Sequence, residues 1–253
     1  MRQLKSIARS SAGFSLVELM IGIVVGLFLL IGLSSVYISS VRGGRTTTSA
    51  NQLNQDMRAL MDIMVNDLRR AGHWEAAVAG SPNPFVAPEA RPKITALDAN
   101  RSCILYSYDA PAAIGADHFG FQLNADGVVQ ATNPGSFNDT TTGCANAGWV
   151  DLTDEVTTQV TRLTFDTVGS KCLAINIANP ATRVDWTTTS GNGMACVAGA
   201  PGAPSTFPDP ATHRFVETRR VNIALEAASR IDPSLSVVLQ ESVVVRANRV
   251  IAP

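Results

Sequence analysis

The sequence predicts an α+β protein: one long N-terminal α-helix, membrane-spanning in its first half and amphipathic in its second, packed on an antiparallel β-sheet. Three observations predict it. Residues 14–38 are apolar almost throughout, and residues 53–71 repeat apolar side chains every three or four positions. The stretch 220–245 then alternates apolar and polar side chains around a turn. The first is the signature of a spanning helix, the second of an amphipathic helix, the third of paired strands.

The apolar run reads FSLVELMIGIVVGLFLLIGLSSVYI, with Glu18 its single charged side chain. As a helix it is about 37 Å long at ~1.5 Å per residue, enough to cross a hydrocarbon core of about 30 Å. Ahead of it, Met1 to Gly13 carry Arg2, Lys5 and Arg9 and no acid. A secretory signal peptide is cut after its apolar stretch and loses it. Here Gly13 precedes the run, so a cut there leaves the run in the mature chain. Glu18 is the second anomaly. A charge at membrane depth costs about 2.5–3.5 kcal/mol on insertion scales, which makes it a functional suspect.

These residues carry a resemblance. Gly13 to Gly26, GFSLVELMIGIVVG, resembles the prepilin N-terminal motif of type IV pilins and type II secretion pseudopilins. The resemblance implies a pilin-like fold, cleavage after Gly13 by a dedicated membrane peptidase, and N-methylation of the new N-terminal Phe14. It also implies that Glu18 guides entry into a filament. The implied partners are the prepilin peptidase/methyltransferase, other minor pilins, the major pilin and an inner-membrane assembly platform.

Composition sets further bounds. The chain has 253 residues and a formal charge of −1. Without the leader it holds 17 basic residues against 21 acidic ones, or −4, which argues against a dominant nucleic-acid-binding surface and leaves room for a local basic patch. Four organisational segments are expected: a leader over 1–13, a transmembrane and assembly helix over 14–38, its amphipathic continuation over 39–72, and a periplasmic β-rich domain over 73–253. The basic leader places the N-terminus in the cytoplasm. The implied location is the inner membrane in a single pass, then the pilus.

Cys103, Cys144, Cys172 and Cys196 all follow the apolar run, and an even count beyond a membrane segment reads as disulfides in an oxidising compartment. Of the three connectivities, the sequential one, Cys103–Cys144 with Cys172–Cys196, is favoured because it staples two separate loop-rich segments. Zinc is disfavoured: there is no C-x₂-C pair, and the intervals of 41, 28 and 24 residues are wide.

Beyond Ile38, Gly43-Gly44 marks a soft point or short break in the helix. Leu53, Met57, Leu60, Met64, Leu68 and Ala71 then form one apolar stripe, and Gly72 is the expected C-cap. The stripe, with its methionines Met57, Met61 and Met64, reads as core rather than as a partner-binding face. Residues 73–98 read as a Pro-, Gly- and Ala-rich loop. Strands are expected at Cys103–Tyr108 and His118–Leu123, the latter leading into a turn at Asp126-Gly127. Residues 156–168 and 172–177 read as a pair joined near Gly169-Ser170, followed by a Thr/Gly/Pro-rich excursion over 179–212. The clearest strands lie at 220–225 and 235–245, with Pro233 in the turn between them.

The helix ending Asn66-Asp67-Leu68-Arg69-Arg70-Ala71-Gly72-His73-Trp74 resembles the D-[IL]-R-R-A-G-[aromatic] ending of the PilW family of minor pilins. Here His73 takes the aromatic's place and Trp74 follows. Residues 220–225 and 243–248 resemble that family's last strands.

Catalytic motifs are absent from the sequence. His73, His118 and His213 are isolated, and no G-x-S-x-G elbow, P-loop or G-x-G-x-x-G turn occurs. The aspartates Asp98, Asp109, Asp126, Asp151, Asp154, Asp166 and Asp209 form no calcium loop and read as solvated turn residues. Arg69-Arg70 and Arg219-Arg220 read as surface or helix-end charges. The expectation is a non-enzymatic minor pilin without cofactor or metal. A J-type minor pseudopilin of a type II secretion system, and a pilus-tip adhesin or DNA-uptake subunit, stand beside it.

Overall fold

The computed structural model describes residues 13, 15–74, 95–96, 100–109, 118–132, 144, 148–189, 195–196, 198–246 and 249–251. The leader before Gly13, Phe14, most of the 73–98 loop and the polar stretch 133–143 lie outside the described residues. The chain divides into two compact units, Met1–Thr48 and Ser49–Pro253.

Helix α1, Leu16–Arg70, is 55 residues long. Ser15 is its N-cap: the hydroxyl accepts from the Val17 amide at 3.3 Å and the carbonyl from the Leu19 amide at 3.1 Å. Gly43 and Gly44 do not break α1, which runs through them. The hydroxyls of Thr46, Thr47 and Thr48 donate to the carbonyls of Arg42, Gly43 and Gly44, at 3.1, 3.0 and 3.0 Å. A helical threonine reaches a preceding-turn carbonyl in one of its two allowed rotamers. The backbone exposed by the missing glycine side chains therefore gains local donors. Up to Thr48 the helix is long and apolar enough to cross a membrane, and its large apolar side chains are exposed.

The second unit begins with the amphipathic part of α1. Leu53, Met57, Leu60, Met61, Met64, Val65 and Leu68 are buried, so the methionines are core. The strands that follow are β1 (Thr95–Ala96), β2 (Cys103–Ser107), β3 (His118–Leu123), β4 (Val129–Thr132), β5 (Trp149–Asp151) and β6 (Thr158–Asp166). After them come β7 (Lys171–Asn176), β8 (Arg183–Thr187), β9 (His213–Thr218), β10 (Arg220–Ser229), β11 (Ser236–Val244) and β12 (Arg249–Ile251). They form three sheets in which every pairing is antiparallel: β1-β2-β3-β4-β5, β11-β10-β6 and β12-β9-β7-β8.

One core joins α1 to the first two sheets. It holds Ile104, Tyr106, Phe119 and Phe121 from the first sheet and Val160, Leu163, Phe165, Ile223, Leu225 and Val243 from the second. The third sheet keeps its own small core of Cys172, Ala174, Trp186, Ala195, Cys196 and Phe215. Packing of this kind favours the fold by roughly 1.5–3 kcal/mol for each large apolar side chain removed from water.

The expected pairing of residues 156–168 with 172–177 is not formed. β6 joins β10 in one sheet, and β7 joins β8 and β9 in another. The reason lies in the side chains at the turn. Asn222 on β10 donates to Asp166 Oδ1 at 2.7 Å and to the Val168 carbonyl at 2.9 Å, while the Arg220 amide donates to Ser170 Oγ at 3.0 Å. These contacts hold β10 along β6, where a hairpin partner would lie. The 179–212 excursion is likewise more ordered than its composition suggests, since it contributes β8 to the third sheet.

Candidate functional site

The first element of the site is the start of α1. Gly13 is exposed and lies outside the helix, two residues before its Ser15 cap. Phe14 lies outside the described residues. Glu18 is exposed in the first helical turn, three residues after the cap. The helix macrodipole presents partial positive charge there, which favours a carboxylate. Among the described residues Glu18 makes no hydrogen bond or ion pair. An exposed carboxylate thus stands in an apolar stretch, where it can accept a cation brought by another molecule.

The second element is the other end of the same helix. Asp67 accepts hydrogen bonds from two tyrosines, from Tyr106 Oη on one oxygen and from Tyr108 Oη at 2.9 Å on the other. Tyr106 and Tyr108 are two residues apart on and just past β2, which puts both hydroxyls on the helix side. Arg70, one turn on, places its guanidinium 4.5 Å from the Tyr108 ring centre and 3.8 Å from Asp67. Tyr108 also stacks on Phe119, with ring centres 4.2 Å apart.

Leu68 and Ala71 are buried in the same core as Tyr106, Tyr108 and Phe119. Gly72 then turns the chain with φ of 75°, a left-handed value that a side chain would strain, and its amide donates to the Ser107 carbonyl at 2.7 Å. The Asp-Leu-Arg-Arg-Ala-Gly sequence is therefore a clasp that fastens the end of α1 to β2. Burial first, and then the neighbouring Asp67 carboxylate, raises the Tyr106 hydroxyl well above its ordinary pKa. The same causes in the same order raise Tyr108.

Cys103 is joined to Cys144 and Cys172 to Cys196. The second disulfide lies in the third sheet's core, where Trp186 Nε1 donates to the Ala195 carbonyl at 2.8 Å and the Ala195 amide donates to Glu217 Oε1 at 2.6 Å. Arg219 departs from its expected surface position. It is buried, because it sits between β9 and β10 on the side that faces inward, while Arg220 points out. Among the described residues no cluster of His, Cys, Asp and Glu is arranged to hold a metal ion. Asp98 lies outside them. Asp126, Asp154 and Asp209 are exposed turn residues, and Asp154 and Asp209 each bind the backbone amide two positions on. Sequence reasoning missed Tyr106 and Tyr108. Their spacing two apart on an apolar strand was the available signal.

An exposed glycine, a capped helix start, an exposed glutamate in an apolar stretch and a long N-terminal helix with antiparallel sheets define a type IV pilin-like protein. The model for the prokaryotic N-terminal methylation motif matches residues 8–34. The model for prepilin peptidase-dependent protein B matches residues 46–245, and the chain belongs to that family. No curated protein and no solved structure matches it. It is a prepilin peptidase-dependent, minor-pilin-like protein of the pilus or pseudopilus type.

Proposed function

We propose that the chain is a minor pilin, similar to the PilW family, that takes part in initiating and assembling type IV pili and has no catalytic activity of its own. The observation that carries this reading is Glu18, exposed and without a partner among the described residues, one turn into an apolar helix and five residues after Gly13. Cleavage of the Gly13–Phe14 bond by prepilin peptidase leaves a cationic amine on Phe14, which the same enzyme class methylates. The amine of one subunit and the Glu18 carboxylate of its neighbour then neutralise each other at membrane depth. In a low-dielectric medium the alternative, two separated charges, is costly. A new subunit is therefore favoured where it completes the pair, and the exposed apolar helices bundle around it. The leader faces the cytoplasm and the second unit the periplasm until the subunit enters the fibre with the major pilin and other minor pilins at the inner-membrane platform.

The likeness of residues 66–74 to the PilW ending is what favours a pilus over a secretion pseudopilus. A deletion strain scored for both surface pili and secreted enzymes tests the assignment. Loss of pili with normal secretion is expected. Normal pili with lost secretion overturns it in favour of a J-type pseudopilin.

A further inference from the structure

The second sheet has two unlike edges. Along β6, the Val160 amide donates to the Gly127 carbonyl and the Phe165 amide to the Arg101 carbonyl, each at 2.8 Å, so that edge is closed. Along β11 nothing comparable exists among the described residues. β11 pairs with β10 over nine residues without a break in register. Two bonds at its ends set which amides point outward. The Ser229 amide donates to the Leu235 carbonyl and the Val245 amide to the Arg219 carbonyl, both at 3.0 Å. Bonded and non-bonded positions alternate in an antiparallel pair. Odd-numbered residues from 235 to 245 therefore bond to β10. Ser236, Val238, Gln240, Ser242 and Val244 turn their amides and carbonyls away from the sheet, and all five are exposed.

Other strand edges are protected by shortness or charge: two residues in β1, three in β5 and β12, and five in β8, which carries Arg183 and Asp185. β11 has no proline, glycine or lysine. An edge of this length and composition is a template for strand addition. Its single charge, Glu241, lies in the row of side chains that faces the core, between Leu239 and Val243, yet is itself exposed. A charge in that row rejects strands that bring only apolar residues opposite it.

We propose that β11 accepts an extended strand from a separate protein chain, and that this strand carries a lysine or arginine opposite Glu241. A second copy of β11 does not meet the requirement. Pairing through the outward amides sets Glu241 across from an odd-numbered residue, and Val237, Leu239, Glu241 and Val243 include no cation. The inference concerns the second unit and does not depend on the role of Glu18.

A photo-crosslinking benzoylphenylalanine placed at Val238 of the full chain in living cells tests it. The expected product joins this chain to a different protein, within an extended segment that holds a basic residue. Gln240→Pro removes one outward amide and no bond to β10, a substitution edge strands tolerate. It should cut the product at least about tenfold. Glu241→Lys should lower it about threefold by facing like charges. Unchanged yield in both variants overturns the proposal, as do products only within one chain or between two copies of it.

Discussion

Asp67 and Tyr106 are 39 residues apart in the chain and meet where helix α1 ends on β2. Tyr106 is buried, so its hydroxyl has no water to fall back on, and Asp67 is its acceptor. The bond is charge-assisted, and the same carboxylate serves Tyr108.

Asp67→Ala is expected to destabilise the folded protein by about 1–3 kcal/mol, since it strands a buried hydroxyl. Tyr106→Phe, which removes the donor as well as its need, should cost less. A double-mutant cycle on thermal or denaturant unfolding should return a positive coupling between the two sites. Additive losses would mean that the contact carries no energy of its own.

Alkaline pH should loosen the same contact. Both tyrosines have pKa values raised in the folded protein, from an ordinary value of about 10. The unfolded chain therefore releases these protons first as pH rises. The stability they contribute is present below pH about 10 and is lost as the pH climbs from there through the folded values. The phenolate absorbance of Tyr106 and Tyr108 should appear together with unfolding rather than ahead of it. In the Tyr106→Phe, Tyr108→Phe double variant the alkaline loss of stability should shrink.

Two glycines should respond in opposite ways to alanine. At Gly120 on β3 an added methyl would run into Leu105 Cδ2 and lie 2.8 Å from the Ile104 carbonyl, so the strand must shift. A cost of about 1–3 kcal/mol is expected by unfolding measurements. At Gly43 nothing lies within 4 Å, and alanine should favour the helix by about 1 kcal/mol. Circular dichroism of the full chain in detergent reads the second effect as helicity that survives to higher temperature.

How much of this was legible in the sequence follows from how local each feature is. Helix α1 was legible because Phe14 to Ile38 form a continuous apolar run, the Leu53 to Ala71 stripe carries its own periodicity, and Gly72 makes its own turn. Gly13 and Glu18 were legible because they break the pattern of the apolar stretch around them. The contacts of Asp67 were not, since nothing near residue 67 names a partner 39 positions later. The separation of β6 from β7 was hidden for the same reason. It rests on Asn222, 56 residues from Asp166. Arg219 reads as a surface cation beside Arg220, and only the alternation of the strand pair turns one inward.

Gly13→Val should block processing, because a branched side chain then occupies the position just before the scissile bond. Intact-mass measurement should find the precursor with its 13-residue leader retained.

Glu18→Leu tests the central claim most directly. The variant keeps Gly13, the apolar length and the second unit, and lacks only the carboxylate that pairs with a neighbour's amine. Intact mass should show normal cleavage and methylation, while counts of surface pili, with the variant as the sole copy, should fall to those of the deletion strain. Processed Glu18→Leu protein that supports a normal number of pili would contradict the account.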